Sequence, residues 1–142
     1  MVGGSRAFAY ALVVLFGCST PAGVSGQLQR ALETDPNEPV RIADLTSFDW
    51  EAFVALGPYS TRQQAEAALG FSWPEFDNYG IDYSDSFSLL VFAHGGAVVH
   101  AEKHPRCKPD FDEESQAVAF PPTRAVFRLS TEEHCALARA AA

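Results

Sequence analysis

Positive charge is scarce in this chain, and the scarcity restricts its partners. The 142 residues include 10 lysines and arginines against 18 aspartates and glutamates, a formal net charge of −8. An acidic surface repels phosphate backbones and anionic lipid headgroups. We therefore expect no nucleic-acid partner, and no membrane contact through a basic patch.

Motifs of several enzyme classes are also missing. The sequence has no Gly-x-Ser-x-Gly elbow for a serine nucleophile and no Cys-x-x-Cys pair for redox catalysis. His100 and His104 are four residues apart, but on a strand this spacing separates their Cα atoms by about 13 Å, too far to share a metal ion. The acidic residues between 77 and 85 lack the ligand spacing of a calcium loop. We predict no catalytic residue, no cofactor and no metal site.

Apolar runs are short, and the one near the amino terminus is informative. Residues 7–16 are apolar, follow Arg6 and end just before Cys18. A transmembrane helix needs about 20 apolar residues, so this run is too short to cross a bilayer comfortably. A positive residue, a short apolar core and small residues at its exit are typical of an export signal. Leu15-Phe16-Gly17-Cys18 resembles a bacterial lipobox, in which the cysteine is lipidated and the signal is cut before it.

Two other fates of this segment stay open. Val24-Ser25-Gly26 also suits ordinary signal cleavage, which would release a secreted protein starting at Gln27. Alternatively, the apolar run remains uncleaved as an anchor. All three fates place the folded part outside the cytoplasm. Because Ser19 replaces the aspartate that often retains lipoproteins at the inner membrane, lipidation predicts the outer membrane in a two-membrane envelope.

Cysteine is rare, and its count fits an exported lipoprotein. If Cys18 carries lipid, only Cys107 and Cys135 remain. An oxidising compartment favours their pairing, and we predict a disulfide between them. Two free thiols are the alternative.

Composition divides the chain into three parts. Residues 1–17 form the predicted signal peptide. Residues 18–41 are small, polar and rich in proline and glycine, which predicts a flexible tether, with a short helix after Gln27 as the alternative. Residues 42–142 are numerous enough for one globular domain with one core.

The predicted elements alternate between strands and helices. They are a strand at 47–56, a helix at 62–69 capped by Ser60 or Thr61 and stopped by Gly70, a hairpin of 86–93 and 97–103 around His94-Gly95-Gly96, strands at 116–120 and 125–129, and a last helix from Ser130 that holds Cys135. This order predicts an α+β fold with a single antiparallel sheet of four to five strands and one or two helices on one face.

Four short motifs carry a family resemblance. They are Asp49-Trp50-Glu51, Leu56-Gly57-Pro58-Tyr59, Leu69-Gly70, and Asp85-Ser86 followed by the hairpin. In these motifs the chain resembles a group of small bacterial lipoproteins of unknown function that share a "DW…GPY…LG…W" framework, over residues 49–104. The resemblance implies a fold and an envelope location, but no activity.

Two segments are candidate binding surfaces. Aromatic residues are dense between 71 and 83, and exposed aromatic rings are frequent in interface hot spots. Trp73 and Tyr83 are expected to be the exposed members, and burial in the core is the alternative for all of them. The second segment, residues 104–110, gathers positive charge and would be held by the disulfide. The predicted binding residues are Tyr59, Trp73, Tyr83, His104 and Arg106.

These observations predict a lipid-anchored envelope protein that acts by binding another envelope protein. One alternative is a small hydrolase, which requires Asp85, His104 and Arg106 to converge in one pocket. Another is an accessory factor of outer-membrane assembly, which requires an exposed apolar patch or an open sheet edge.

Overall fold

The computed structural model describes residues 23–132 and 134–141, which form an α+β fold. Two α-helices and seven strands occur in these ranges. In chain order they are α1 (Val24–Thr34), β1 (Val40–Arg41), β2 (Ala52–Leu56), α2 (Arg62–Leu69), β3 (Phe87–His94), β4 (Ala97–Pro105), β5 (Asp110–Phe111), β6 (Val126–Thr131) and β7 (Ala136–Ala140). The predicted α+β class is confirmed. The predicted signal peptide, residues 1–17, and the predicted lipidation site Cys18 lie outside the described residues.

Strands β2, β3 and β4 form an antiparallel sheet in that order. The predicted hairpin joins β3 to β4 through Gly95 and Gly96, whose φ angles are 59° and 75°. A two-residue turn of this kind needs positive φ at both positions, which glycine adopts without steric cost. The hairpin is therefore confirmed, and its local sequence explains it.

Strands β1, β6, β7 and β5 form a second sheet, so the prediction of a single sheet is wrong. The predicted strand at 116–120 contributes only two isolated bridges to β2, made by Gln116 and Phe120. Pro121 and Pro122 follow, and neither can donate a hydrogen bond to a ladder. The chain leaves the first sheet at this point, and β6 pairs with β1 and β7 instead.

The predicted last helix is also wrong. Residues 126–131 and 136–140 are the antiparallel strands β6 and β7, and the Glu132 amide donates to the Cys135 carbonyl in the connection between them. The alanines and leucine of β7 favour a helix in isolation, but pairing with β6 and burial of Ala138 override that weak preference.

Both faces of the first sheet are covered, which explains why β3 is buried along most of its length. Alternate side chains such as Phe53 and Phe92 pack against α1 and the second sheet. The intervening side chains, such as Val54 and Val91, pack against α2 and the aromatic segment 73–81. The helices therefore lie on opposite faces of this sheet, not on one face as predicted.

Helix α1 occupies part of the segment predicted as a flexible tether, residues 18–41. Val24 and Leu28, one helical turn apart, are both buried in the core beside Ile42. The folded domain therefore begins by Gly23, well before the predicted boundary at residue 42. Two apolar residues in a polar, glycine-containing stretch are a weak sequence pattern, and the helix depends on the groove that receives them.

Helix α2 forms as its sequence predicts. Thr61 and Gln64 make a reciprocal capping box, and Gly70 ends the helix with a left-handed backbone, φ 82°. Within the described residues, neither helix is long and apolar enough to cross a membrane.

Candidate binding surface

Tyr59 projects from a strained turn that follows β2. Its side chain is 57% exposed, and its backbone is left-handed, with φ 62°. The Tyr59 amide donates hydrogen bonds to the carbonyls of Ile81 (2.9 Å) and Ser84 (3.3 Å). A left-handed backbone at a bulky residue costs about 1 kcal/mol or more and persists only where the surroundings impose it. The turn thus fixes the main chain from which the exposed ring projects.

Tyr83 lies beside this turn because Ile81 and Ser84, which receive the Tyr59 amide, flank it in the chain. At 77% exposure it is the most exposed large hydrophobic residue described. Its ring covers Gly80, where an added Cβ would lie 2.7 Å from the Tyr83 hydroxyl. A Cβ at position 80 would have to displace this exposed ring, and the Gly80 φ of 72° favours glycine. The ring is therefore supported although it is open to solvent.

Arg106 connects this region to the loop after β4. Its Nη1 donates to the main-chain carbonyl of Asp85 at 2.8 Å. Its Nε and Nη2 each lie 2.9 Å from Oδ2 of Asp110, a two-pronged contact. The hydrogen bonds with Asp110 raise the pKa of the Arg106 guanidinium above its ordinary value, so it stays charged. The arginine thereby holds together two loops that are 21 residues apart.

Asp110 is the centre of the loop that carries Arg106. It is 8% exposed, and its Oδ1 accepts the Cys107 amide at 2.8 Å. The predicted disulfide between Cys107 and Cys135 is present, and Sγ of Cys135 lies 3.4 Å from Oδ2 of Asp110. The disulfide joins the loop to the connection between β6 and β7, so the main chain next to Arg106 is covalently linked to the second sheet.

The structure therefore brings three of the five predicted binding residues into one region. We call it the tyrosine–arginine surface and define it as Tyr59, Tyr83, Asp85 and Arg106. It presents two phenol rings, one exposed carboxylate and a guanidinium whose side chain is 40% exposed. Tyrosine and arginine are enriched among residues that dominate binding energy, because each combines apolar area with hydrogen-bond donors.

Trp73 does not belong to this surface. Its predicted exposure is wrong, since it is 3% exposed, with Phe76 and Tyr79 packed against its ring at centroid distances of 5.8 and 5.3 Å. Its main chain is also satisfied by α2: the Trp73 amide donates to Glu66, and Arg62 donates to the Trp73 carbonyl. The aromatic segment is thus mainly core.

His104 is also not at the surface, where it was expected; it is fully buried. Its Nε2 lies 2.8 Å from the Pro109 carbonyl, and its Nδ1 lies 2.8 Å from Oγ of Ser25. A carbonyl can only accept, so Nε2 carries the proton and Nδ1 accepts from the serine hydroxyl. Burial lowers the pKa of His104, against the raising effects of the Pro109 carbonyl, Asp110 and Glu102.

This placement bears on the hydrolase alternative. Both ring nitrogens of His104 are engaged inside the protein, so neither is available to a substrate. Arg106 contacts the main-chain carbonyl of Asp85 and the carboxylate of Asp110. The three residues do not converge on one cavity as the hydrolase requires.

The described ranges contain one group with metal-ligand composition, Cys107, Asp110 and Cys135. Both sulfurs are joined in the disulfide, so they are not free thiolate donors. His100, part of the histidine pair considered above, instead lies 3.1 Å from Glu102.

The edge of β4 bears on the assembly-factor alternative. A bulge between β3 and β4 leaves Val99, which is 49% exposed, without an opposite residue. Bulges and edge lysines such as the exposed Lys103 discourage the addition of a further strand. The exposure of Val99 thus follows from the bulge, and this edge does not favour strand addition.

Sequence reasoning missed Ser25, Glu102 and Asp110, whose partners lie far away in the chain or across a tight loop. Comparisons with protein-family models, with curated proteins and with solved structures find no match for this chain. The family resemblance therefore stays a prediction.

Proposed function

We propose that this protein is a lipid-anchored protein of the bacterial envelope that binds another envelope protein through the tyrosine–arginine surface. The predicted export signal, residues 1–17 followed by Cys18, supports the location. The disulfide between Cys107 and Cys135 fits an oxidising compartment. The single observation that carries the binding function is the pair of exposed tyrosines on a rigid support.

The support matters because it lowers the cost of binding. Ordering a mobile side chain at an interface costs about 0.5–1.5 kcal/mol. The main chain at Tyr59 is held by Ile81 and Ser84, and the Tyr83 ring rests on Gly80. Arg106 is already fixed by three contacts. The main chain at Tyr59 and the side chain of Arg106 are therefore ordered before a partner arrives.

The side chains of the surface favour a protein partner that offers apolar groups and hydrogen-bond acceptors. Arg106 offers a guanidinium edge to a carboxylate, and the tyrosine rings fit apolar recesses with a hydrogen-bond acceptor at the rim. The exposed carboxylates of Asp82 and Asp85 repel phosphate-rich ligands from the same place. The proposed partner is thus a folded protein surface.

Site-specific photocrosslinking tests this proposal in cells. A photoreactive phenylalanine analogue replaces Tyr83 in one variant and Val99 in the matched control, because Val99 is also exposed and apolar but lies on the β4 bulge. We expect one discrete adduct from position 83, weakened at least several-fold by Arg106→Ala, and none from position 99.

The outcomes are separable. Equal adducts from positions 83 and 99 would indicate nonspecific contact and contradict the proposed surface. An adduct at position 99 alone would move the binding site to the β4 edge. Circular dichroism of each purified variant checks that the fold is retained.

A further inference from the structure

Strand β4 supplies the contacts that hold the first turn of α1 against the domain. Val24 is 2% exposed and belongs to the core that also contains Leu28 and Phe92. The Val24 amide donates to Oε1 of Glu102 at 2.8 Å. This contact satisfies an amide at the helix start, where helices leave donors without internal partners. The carboxylate also complements the positive end of the helix dipole.

Glu102 contacts both the start of α1 and a neighbouring histidine on β4. Its side chain is 19% exposed, and the same Oε1 lies 3.1 Å from Nε2 of His100. An added Cβ at Gly23 would collide with the Glu102 carboxylate. A side chain at position 23 would therefore require the Glu102 carboxylate to shift.

Ser25 makes the second connection, to the buried His104. The Ser25 hydroxyl donates to Nδ1 of His104 and accepts from Gln29 at 3.3 Å. Without Ser25, a fully buried imidazole nitrogen would have no donor. Residues 23–25 thus contribute a core side chain, a helix-start contact and a partner for a buried ring.

We infer that the export signal is removed upstream of Gly23, so that the mature chain begins between Cys18 and Gly23. The inference rests on the export part of the proposed function. Ordinary cleavage after Gly26 would remove Val24 and Ser25, so Glu102 would lose its contact with the helix start and Nδ1 of His104 would lose its donor. The step at the lipobox is hydrolysis: water gives its hydroxyl to the Gly17 carbonyl carbon and a proton to the Cys18 amine.

The inference also limits how far the domain extends from a membrane. Four residues separate Cys18 from Gly23, and five residue steps span at most about 18 Å. A lipid on Cys18 would therefore keep the amino end of α1 and the adjacent part of β4 close to the headgroups. A partner of the anchored domain must itself lie near that membrane.

Intact mass of the processed protein tests the inference directly. The full chain is expressed in a bacterium with lipoprotein export, and its mature form is purified from the envelope and the medium. We expect a first residue between Cys18 and Gly23. A chain that begins at Gln27, or one that keeps its first 17 residues, would overturn the inference.

The same mass separates this inference from the lipid anchor. A chain that begins between Cys18 and Gly23 without acyl chains contradicts the anchor and supports the processing inference. A second measurement compares thermal unfolding of the two possible mature chains, residues 18–142 carrying Cys18→Ser and residues 27–142. A clearly lower midpoint for the shorter chain supports the inference, and equal midpoints would overturn its structural basis.

Discussion

Replacing Ser25 with alanine removes one hydroxyl from a buried chain of hydrogen bonds. The variant leaves Nδ1 of His104 without its donor at 2.8 Å and removes an acceptor of Gln29. An unsatisfied buried polar group costs about 1–3 kcal/mol. Alanine is a better helix former than serine by about 0.5 kcal/mol, which offsets part of that cost. We expect a net loss of about 0.5–2.5 kcal/mol in the free energy of unfolding.

Urea unfolding at pH 7.5 measures this loss, with the disulfide intact in every sample. Ser72→Ala is the matched control, because Ser72 is exposed, and a surface change of this kind stays within about 0.5 kcal/mol. A Ser25→Ala variant no less stable than the Ser72→Ala variant would refute the role assigned to Ser25. It would also weaken the argument that residues 23–25 must remain in the mature chain.

Two further predictions concern the same region. Because burial lowers the pKa of His104 in the folded state, the unfolded chain takes up the proton first as the pH falls through about 6.5. The free energy of unfolding should therefore be highest above that pH and decline below it. Urea unfolding at pH 7.5, 6.5 and 5.5 measures this dependence. A rise in stability on acidification would contradict the prediction. Cys135→Ser should lower the free energy of unfolding by about 3–4 kcal/mol, given the 28-residue separation of the bonded cysteines. Urea unfolding of the variant tests this, and stability equal to wild type would show that the disulfide adds nothing.

Sequence patterns correctly predicted the elements whose structure is determined by residues close together in the chain. Thr61 and Gln64 cap the start of α2, and Gly70 ends it, so the residues that determine both ends lie within ten positions of one another. Gly95 and Gly96 specify the turn between β3 and β4. In these places the residues that determine the structure are near neighbours, so one stretch of sequence is sufficient.

The sequence predicted the structure poorly where contacts between residues far apart in the chain determine it. Helix α1 packs because β4 supplies Glu102 and His104, which are 78 and 79 residues away from their partners. Strand β7 forms because β6 pairs with it, although its composition favours a helix. Composition alone did not determine these outcomes.

The predicted binding residues also divide into those whose exposure was predicted correctly and those whose exposure was not. Tyr83 was predicted to be exposed as a member of the dense aromatic segment 71–83, and Tyr59 was predicted to bind together with it; both are exposed. Trp73, from the same aromatic segment as Tyr83, and His104, from the positively charged loop 104–110, are instead buried by contacts with α2 and α1. The sequence pattern did not distinguish the buried Trp73 from the exposed Tyr83.

The measurement that tests the binding function most directly is hydrogen exchange of the protein in its own membranes, compared with the purified protein in detergent. The account predicts that the membrane sample protects the amides around Tyr59, Tyr83 and Arg106, while the turn at Gly95 and Gly96 exchanges equally in both. Equal exchange at the tyrosine–arginine surface in the two samples, or protection confined to the Gly95 turn, would contradict it.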